Sequence, residues 1–252
     1  MKILLNISYV GTAYCGYQVQ PNGVSIQQKL NEAAKKLFGY DCDIVGCSRT
    51  DSGVHANCFC AAVTKKGEGS IVTSVPTEKI AQAMTFWLPE DIAVTSARLV
   101  DDGFHPRYDV KSKEYVYKIH NAPIRDPFMQ DRAWHCPKRI DDEGLANMQK
   151  AASAFVGKHD FTAFMSVDST VKDTVREVYS AEVTRDGDVI SFRVSANGFL
   201  YNMVRIFTGT LVDVAYGKLS AEDIPAIIAS MDRRNAGTTA PPHGLYLNKV
   251  EY

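Results

Sequence analysis

Between two apolar stretches the chain runs Ser48-Arg49-Thr50-Asp51-Ser52-Gly53-Val54-His55-Ala56, its densest run of side chains able to do chemistry. Arg49 and Asp51 are two residues apart, so in extended backbone both leave the same face. A guanidinium within about 4–6 Å holds a carboxylate ionised, lowering its pKa by roughly 1–3 units. An ionised aspartate can then serve as base or nucleophile at neutral pH. The same residues also suit an Asp-Gly-type turn, in which the carboxylate bonds its own backbone and Arg49 decorates the surface. Spacing alone leaves both readings open.

Other chemistries fit less well. Asp51-Ser52-Gly53 has the form of an aspartic-protease triplet, but that reaction needs two carboxylates sharing one proton. No second such triplet exists in the chain, so only a homodimer could supply it, and Arg49 opposes proton sharing. A glycosidase also needs a second carboxyl group, and between Cys42 and Val72 only Asp43 and Glu68 are available. Cys42, Cys47, Cys58, Cys60 and His55 lie close in sequence without any C-x-x-C pair. Strand cysteines of this kind are usually apolar fillers, and no metal site is expected.

Several elements must position this run. Lys2 to Val10 is β-rich. After a glycine-punctuated loop, Ile26, Leu30, Ala33, Ala34 and Leu37 recur at helical spacing. Ser25 as N-cap, Gln28 three residues on and Gly39 past the end frame that helix. Strands are predicted over Cys42–Cys47 and Asn57–Thr64, then a helix capped by Thr77 and running to about Trp87, then a strand over Ile92–Val100. The second half predicts strands at Glu114–His120 and Ala133–Cys136 and a helix over Asp141–Val156. Two long strands flanking an Asp186-Gly187 turn follow. A helix from about Phe199 to Tyr216, a shorter one after Ser220 and a strand from Leu245 to Tyr252 complete the chain. The expected architecture is α+β: two ferredoxin-like units, residues 1–105 and 106–252, sharing a mixed, mainly antiparallel sheet with helices on one face. The active site is expected in the cleft between them.

Composition sets further bounds. Of 252 residues, 45% are hydrophobic and 23% charged, ordinary globular values that exclude a disordered or collagen-like chain. Net charge is −1, with 14 basic against 12 acidic side chains up to Arg125 and 14 against 17 after it. Neither part is basic overall, so a polyanion site must be a local patch. His105, Arg107, Lys111, Lys113 and Lys118 offer one. No stretch approaches the roughly 18 apolar residues of a membrane span. MKILLNISYVGT reads as a strand and not as a signal peptide. A cytoplasmic location with the six cysteines kept as thiols is therefore expected.

SRTDSGVHA closely resembles the G-R-T-D-A-G-V-H-A signature of the TruA family of tRNA pseudouridine synthases. Further blocks occur in that family's order: SYVGTAYCGYQVQP, SIQQKLNEA, LPEDIAV, FHPRYDVKSKEYVYKI, GKHDFTAF, TVREV, NGFLYNMVRIFTGTLVDV and AGTTAPPHGLYLNKVEY. They span the chain from about Ile3 to Tyr252. The resemblance implies conversion of uridine to pseudouridine at positions 38 to 40 in the anticodon arm of tRNA, without metal or organic cofactor. It also implies a homodimer holding one tRNA across both subunits.

By the same resemblance, Asp51 is the catalytic aspartate. Tyr115 packs on the target uracil, Arg205 pairs with the catalytic carboxylate, and Leu245 lines the pocket. Arg49 enters the RNA stack to help flip the nucleotide out, a cost of a few kcal/mol that such a pocket must offset. A charge pair between Arg49 and Asp51 competes with that role, unless the two hold at different stages. FHPRY, with Phe104, His105, Arg107 and Tyr108, matches a tRNA-contacting segment. The sequence departs from the family at Ser48, Ser52, Tyr17, Pro106 and Tyr108, where glycine, alanine, tryptophan, alanine and phenylalanine are usual. None of these changes removes a functional group. The alternative is a tRNA-binding or tRNA-folding module without catalysis.

Overall fold

The protein is described from a computed structural model over residues 1–167 and 171–252. It comprises two compact units, Met1–Lys111 with Tyr246–Tyr252, and Ser112–Leu245. The division expected at residue 105 lies instead after Lys111, and the last strand returns to the first unit. The physical reason is local. Tyr252 Oη donates to the Pro106 carbonyl at 2.9 Å, Lys111 N–H donates to the Glu251 carbonyl at 2.8 Å, and Tyr252 packs edge-on against Phe104.

In the first unit, strand β1 (Lys2–Tyr9) alternates, and Ile3, Leu5, Ile7 and Tyr9 are all buried on one face. Opposite them in antiparallel register stand Val63, Ala61 and Phe59 of β3 (His55–Lys65). On the other edge of β1 lies β4 (Ile92–Val100), also antiparallel. β2 (Cys42–Gly46) pairs antiparallel with the far end of β3, and β10 (Leu245–Glu251) pairs parallel with its start at His55 and Ala56. Helix α1 (Ile26–Phe38) begins and ends as predicted: Ser25 Oγ accepts from Gln28 N–H, and Gly39 closes it at φ 79°. Gln28 does not complete a capping box, because its amide turns to Glu32. Helix α2 (Thr77–Phe86) differs, since its N-cap is Pro76 and Thr77 already lies inside the helix. α2 packs on α1 and β4.

In the second unit, β5 (Ser112–His120) runs antiparallel to β9 (Val189–Ala196), with the short β6 (Trp134–His135) parallel at the end of β5. β8 (Val175–Asp186) pairs with β9 and with β7 (Gly157–Asp160), a strand too short and polar to be recognised from its pattern. The β8–β9 turn is Gly187-Asp188, one residue later than expected, with Gly187 at φ 56°. Helix α3 (Asp142–Ser153) is capped by Asp141, whose carboxylate accepts from Gly144 N–H. α4 (Met203–Ala215) starts four residues after the expected Phe199, because Asn202 is left-handed at φ 61°. α5 (Ile224–Ser230) follows a capping box at Ser220.

α4 is buried nearly all round, as befits a core helix. Phe207 stacks face to face on Phe155 at 3.9 Å, and Phe161, Phe164 and Phe192 surround it. The 236–239 loop lies directly against the helix. Gly237 N–H donates to Thr210 Oγ1 at 2.9 Å, and a Cβ on Gly209 would stand 1.7 Å from the Thr238 carbonyl oxygen. Both units are thus α+β with mixed, mainly antiparallel pairing, the fold class expected from the sequence.

Candidate active site

The run from Cys47 to Val54 joins β2 to β3, and each of its backbone turns has an identifiable hold. Cys47 N–H donates to the Cys60 carbonyl at 2.8 Å, and Val54 N–H donates to the Asp51 carbonyl at 3.2 Å, closing a turn with Gly53 at φ 79°. A positive φ at that third position is what glycine supplies without steric cost. The turn is closed by the Asp51 main-chain carbonyl, not by its carboxylate.

From beneath, the loop rests on the segment after β1. Tyr17 N–H donates to the Thr50 carbonyl, Ser52 Oγ to the Tyr14 carbonyl, and Gly11 N–H to His55 Nδ1 at 2.9 Å. The Thr50 hydroxyl is buried 2.8 Å from Tyr9 Oη. Two glycines permit this approach. A Cβ on Gly11 would stand 2.0 Å from the Val54 carbonyl oxygen, and one on Gly16, which has φ 98°, would stand 2.6 Å from that of Thr50. His55 is buried, and its Nδ1 ties the start of β3 to the segment after β1.

Burial along the loop alternates. Arg49 is exposed, Thr50 buried and Asp51 half-buried. Among the described residues no ion pair involves Arg49. The Arg49–Asp51 charge pair considered from the sequence is not formed. Tyr17 stacks on Phe59 at 4.2 Å, and burial pushes its phenol far above its ordinary value, so it is neutral packing. Gly46 lies beneath both rings, where a Cβ would come within 2.6 Å of Tyr17.

The FHPRY turn also belongs to the first unit. His105 Nδ1 accepts from the backbone N–H groups of Arg107 and Tyr108, and Asp109 Oδ2 accepts from His105 N–H. The His105 ring stacks under Tyr108 at 4.2 Å, while Phe104 is held by Tyr252. These bonds tie the turn to itself, and Arg107 and Tyr108 are exposed on it, the latter to 77%. An exposed cation beside an aromatic ring stacked on His105 suits contact with a phosphate and a base or ribose.

The other three candidates lie in the second unit. Tyr115 on β5 is buried and meets Phe199 edge-to-face at 5.1 Å. Arg205, half-buried on α4, donates from Nε to the Ala240 carbonyl at 2.8 Å and from Nη1 to Asn202 Oδ1 at 2.6 Å. Leu245 is buried and directly follows Gly244, which packs so closely on the Tyr117 ring that a Cβ would come within 2.6 Å. Sequence reasoning did not identify Thr50, Tyr9, Gly11, Gly16 or Asn202 as supports. The glycine punctuation of GTAYCG was the one available signal.

Comparison with known proteins gives a consistent result. A family model described as tRNA pseudouridine synthase matches residues 151–252. Proteins named tRNA pseudouridine synthase A align with the whole chain: 44% identity in Ruminiclostridium cellulolyticum and 41% in Bacillus pumilus, each over 99% of the relative's length. In Geobacter sp. strain M21 the identity is 41% over 98% of the relative. Among solved structures, one of a Cbf5-Nop10-Gar1 complex aligns with 97% of this chain and 48% of its own at 14% identity and a TM-score of 0.39, a likeness too slight to argue from.

Proposed function

Because the chain belongs to the tRNA pseudouridine synthase A family, an isomerase family, we propose that it converts uridine to pseudouridine at positions 38, 39 and 40 of the tRNA anticodon arm, with the Asp51 carboxylate carrying the chemistry. The observation that carries this reading is the seating of Asp51. Its backbone is fixed by a turn and by close packing on Gly11 and Gly16, and its side chain is half-buried.

The reaction breaks the glycosidic C–N bond, turns the uracil and joins its carbon 5 to the ribose; the hydrogen of carbon 5 leaves as a proton and N1 ends protonated, so that atoms are conserved. Attack of the carboxylate on the sugar, attack on the base and removal of a ribose proton all start from an ionised Asp51. Chemistry of this kind needs the nucleotide out of its stack. Exposed Arg49 is suited to enter the vacated position, since a planar cation stacks on bases. Tyr115 is assigned to the face of the uracil, Arg205 to the carboxylate and Leu245 to the apolar wall. Phe104, His105, Arg107 and Tyr108 are assigned to positioning the RNA. In this reading the enzyme works in the cytoplasm as a homodimer with tRNA as partner, and its chemistry calls on no cofactor.

The test is to incubate the protein with unmodified tRNA and map carbodiimide adducts that survive alkaline treatment. Adducts at uridines 38–40 are expected. Adducts confined to another arm would overturn the site assignment, and tRNA binding without adducts would leave only the non-catalytic module.

A further inference from the structure

Asn202 occupies the residue before α4, where an asparagine ordinarily spends its side-chain oxygen on the helix's own N–H groups. Here no such cap bond is made. The Oδ1 atom instead accepts from Arg205 Nη1 at 2.6 Å, and Nδ2 donates to Ser166 Oγ at 2.8 Å. Ser166 is itself anchored, its N–H donating to the Tyr201 carbonyl. The backbone of Asn202 sits at φ 61°, ψ 7°, a left-handed conformation that glycine adopts more easily. Glycine would lose the amide, however, and the cap-forming serine would strain the backbone. Asparagine and aspartate combine tolerance of that conformation with an acceptor at this reach.

Arg205 is held from a second side by the Ala240 carbonyl on Nε, while Ala240 N–H returns a bond to the Arg205 carbonyl at 3.1 Å. Acceptors on two different nitrogens hold the plane of a guanidinium more closely than either of them alone. We propose that Asn202 is a positioning residue: it locks the orientation of the Arg205 guanidinium for catalysis, at the expense of its own helix cap. This rests on the reading of Arg205 as a group of the active site.

The experiment compares Asn202→Gly, Asn202→Asp, Arg205→Ala and the double variant Asn202→Gly/Arg205→Ala, reading kcat, KM for tRNA and the thermal midpoint. Asn202→Gly suits the left-handed backbone, so the midpoint is expected to stay near that of the unaltered protein. Its kcat should fall roughly 10- to 100-fold, the range of a lost charge-assisted hydrogen bond, with KM little changed. Asn202→Asp keeps the acceptor and should recover most of that loss. In the Arg205→Ala background, Asn202→Gly should cost nothing further. An undiminished kcat in Asn202→Gly, or the same loss with and without Arg205, overturns the proposal. Wild-type kcat in Arg205→Ala is a different result, which overturns the role of Arg205 itself. Should Asn202→Gly fail to fold, Ser166→Ala replaces it, with the same dependence on Arg205 required.

Discussion

The Cys47–Val54 loop and the seat of Arg205 hold charged side chains by opposite means. The loop lies on backbone. Gly11 and Gly16 admit it to within the width of a missing Cβ, and buried hydroxyl and imidazole groups tie it down. Arg205 rides on a helix buried among Phe155, Phe161, Phe164 and Phe192, and two acceptors orient only the tip of its side chain. A short carboxylate has few torsions, so its placement is set by where the main chain goes. A long guanidinium needs a rigid base and a separate device at its far end.

The contrast yields ordered expectations. The largest concerns the helix. Phe207→Ala should destabilise the protein by about 3–5 kcal/mol, because it removes the centre of the aromatic cluster. Thermal melting reads this, and an unchanged midpoint would mean that the cluster is not what carries α4.

A smaller effect is expected in the loop. Gly11→Ala should cost about 1–3 kcal/mol, since a backbone carbonyl must move to admit the methyl group. It should also lower turnover at temperatures where the variant is folded, by displacing Val54 and with it the turn that begins at Asp51. A variant melting lower yet turning over normally would separate the fit of the loop from the reaction.

The smallest effect costs no stability and concerns thiols. In the first unit the neighbouring Cys60 side chain and the Val250 N–H draw the Cys58 thiol down to about 6. In the second unit burial pushes Cys136 up to about 11. The thiolate is the nucleophile, so alkylation of Cys58 should already be near its plateau at pH 7.5, whereas Cys136 stays protonated and unreacted. Peptide mapping after brief iodoacetamide treatment checks this. Labelling of Cys136 before Cys58 would contradict it.

Much of the frame was legible because its signals are local. Ser25 and Gly39 bound α1 as read, and the apolar run Ile92–Val100 is the strand it was expected to be. Failures came where the backbone is decided elsewhere. Thr77 looked like a cap, but Pro76 takes that position at φ −57°, ψ 137°, and Thr77 is the first helical residue. The apolar pattern of Phe199 and Leu200 extended the helix too far forward, because nothing in it announces the left-handed Asn202. The spacing of Arg49 and Asp51 suggested a charge pair, yet it could not show that Arg49 is exposed and, among the described residues, makes no ion pair. The support of the loop by Gly11 and Gly16 spans about forty residues of sequence, beyond any periodicity. Arg205 was singled out by resemblance, whereas its partners Ala240 and Asn202 emerge only from the folded helix and the loop laid along it.

The central claim is that one carboxyl group carries the isomerisation. Its most direct test is release of tritium from tRNA labelled at carbon 5 of uridine, measured for Asp51→Asn beside tRNA binding by the same preparation. The account predicts binding close to that of the unaltered protein and release slower by more than about 10³-fold, as for loss of an essential catalytic group. Release at the unaltered rate would contradict it.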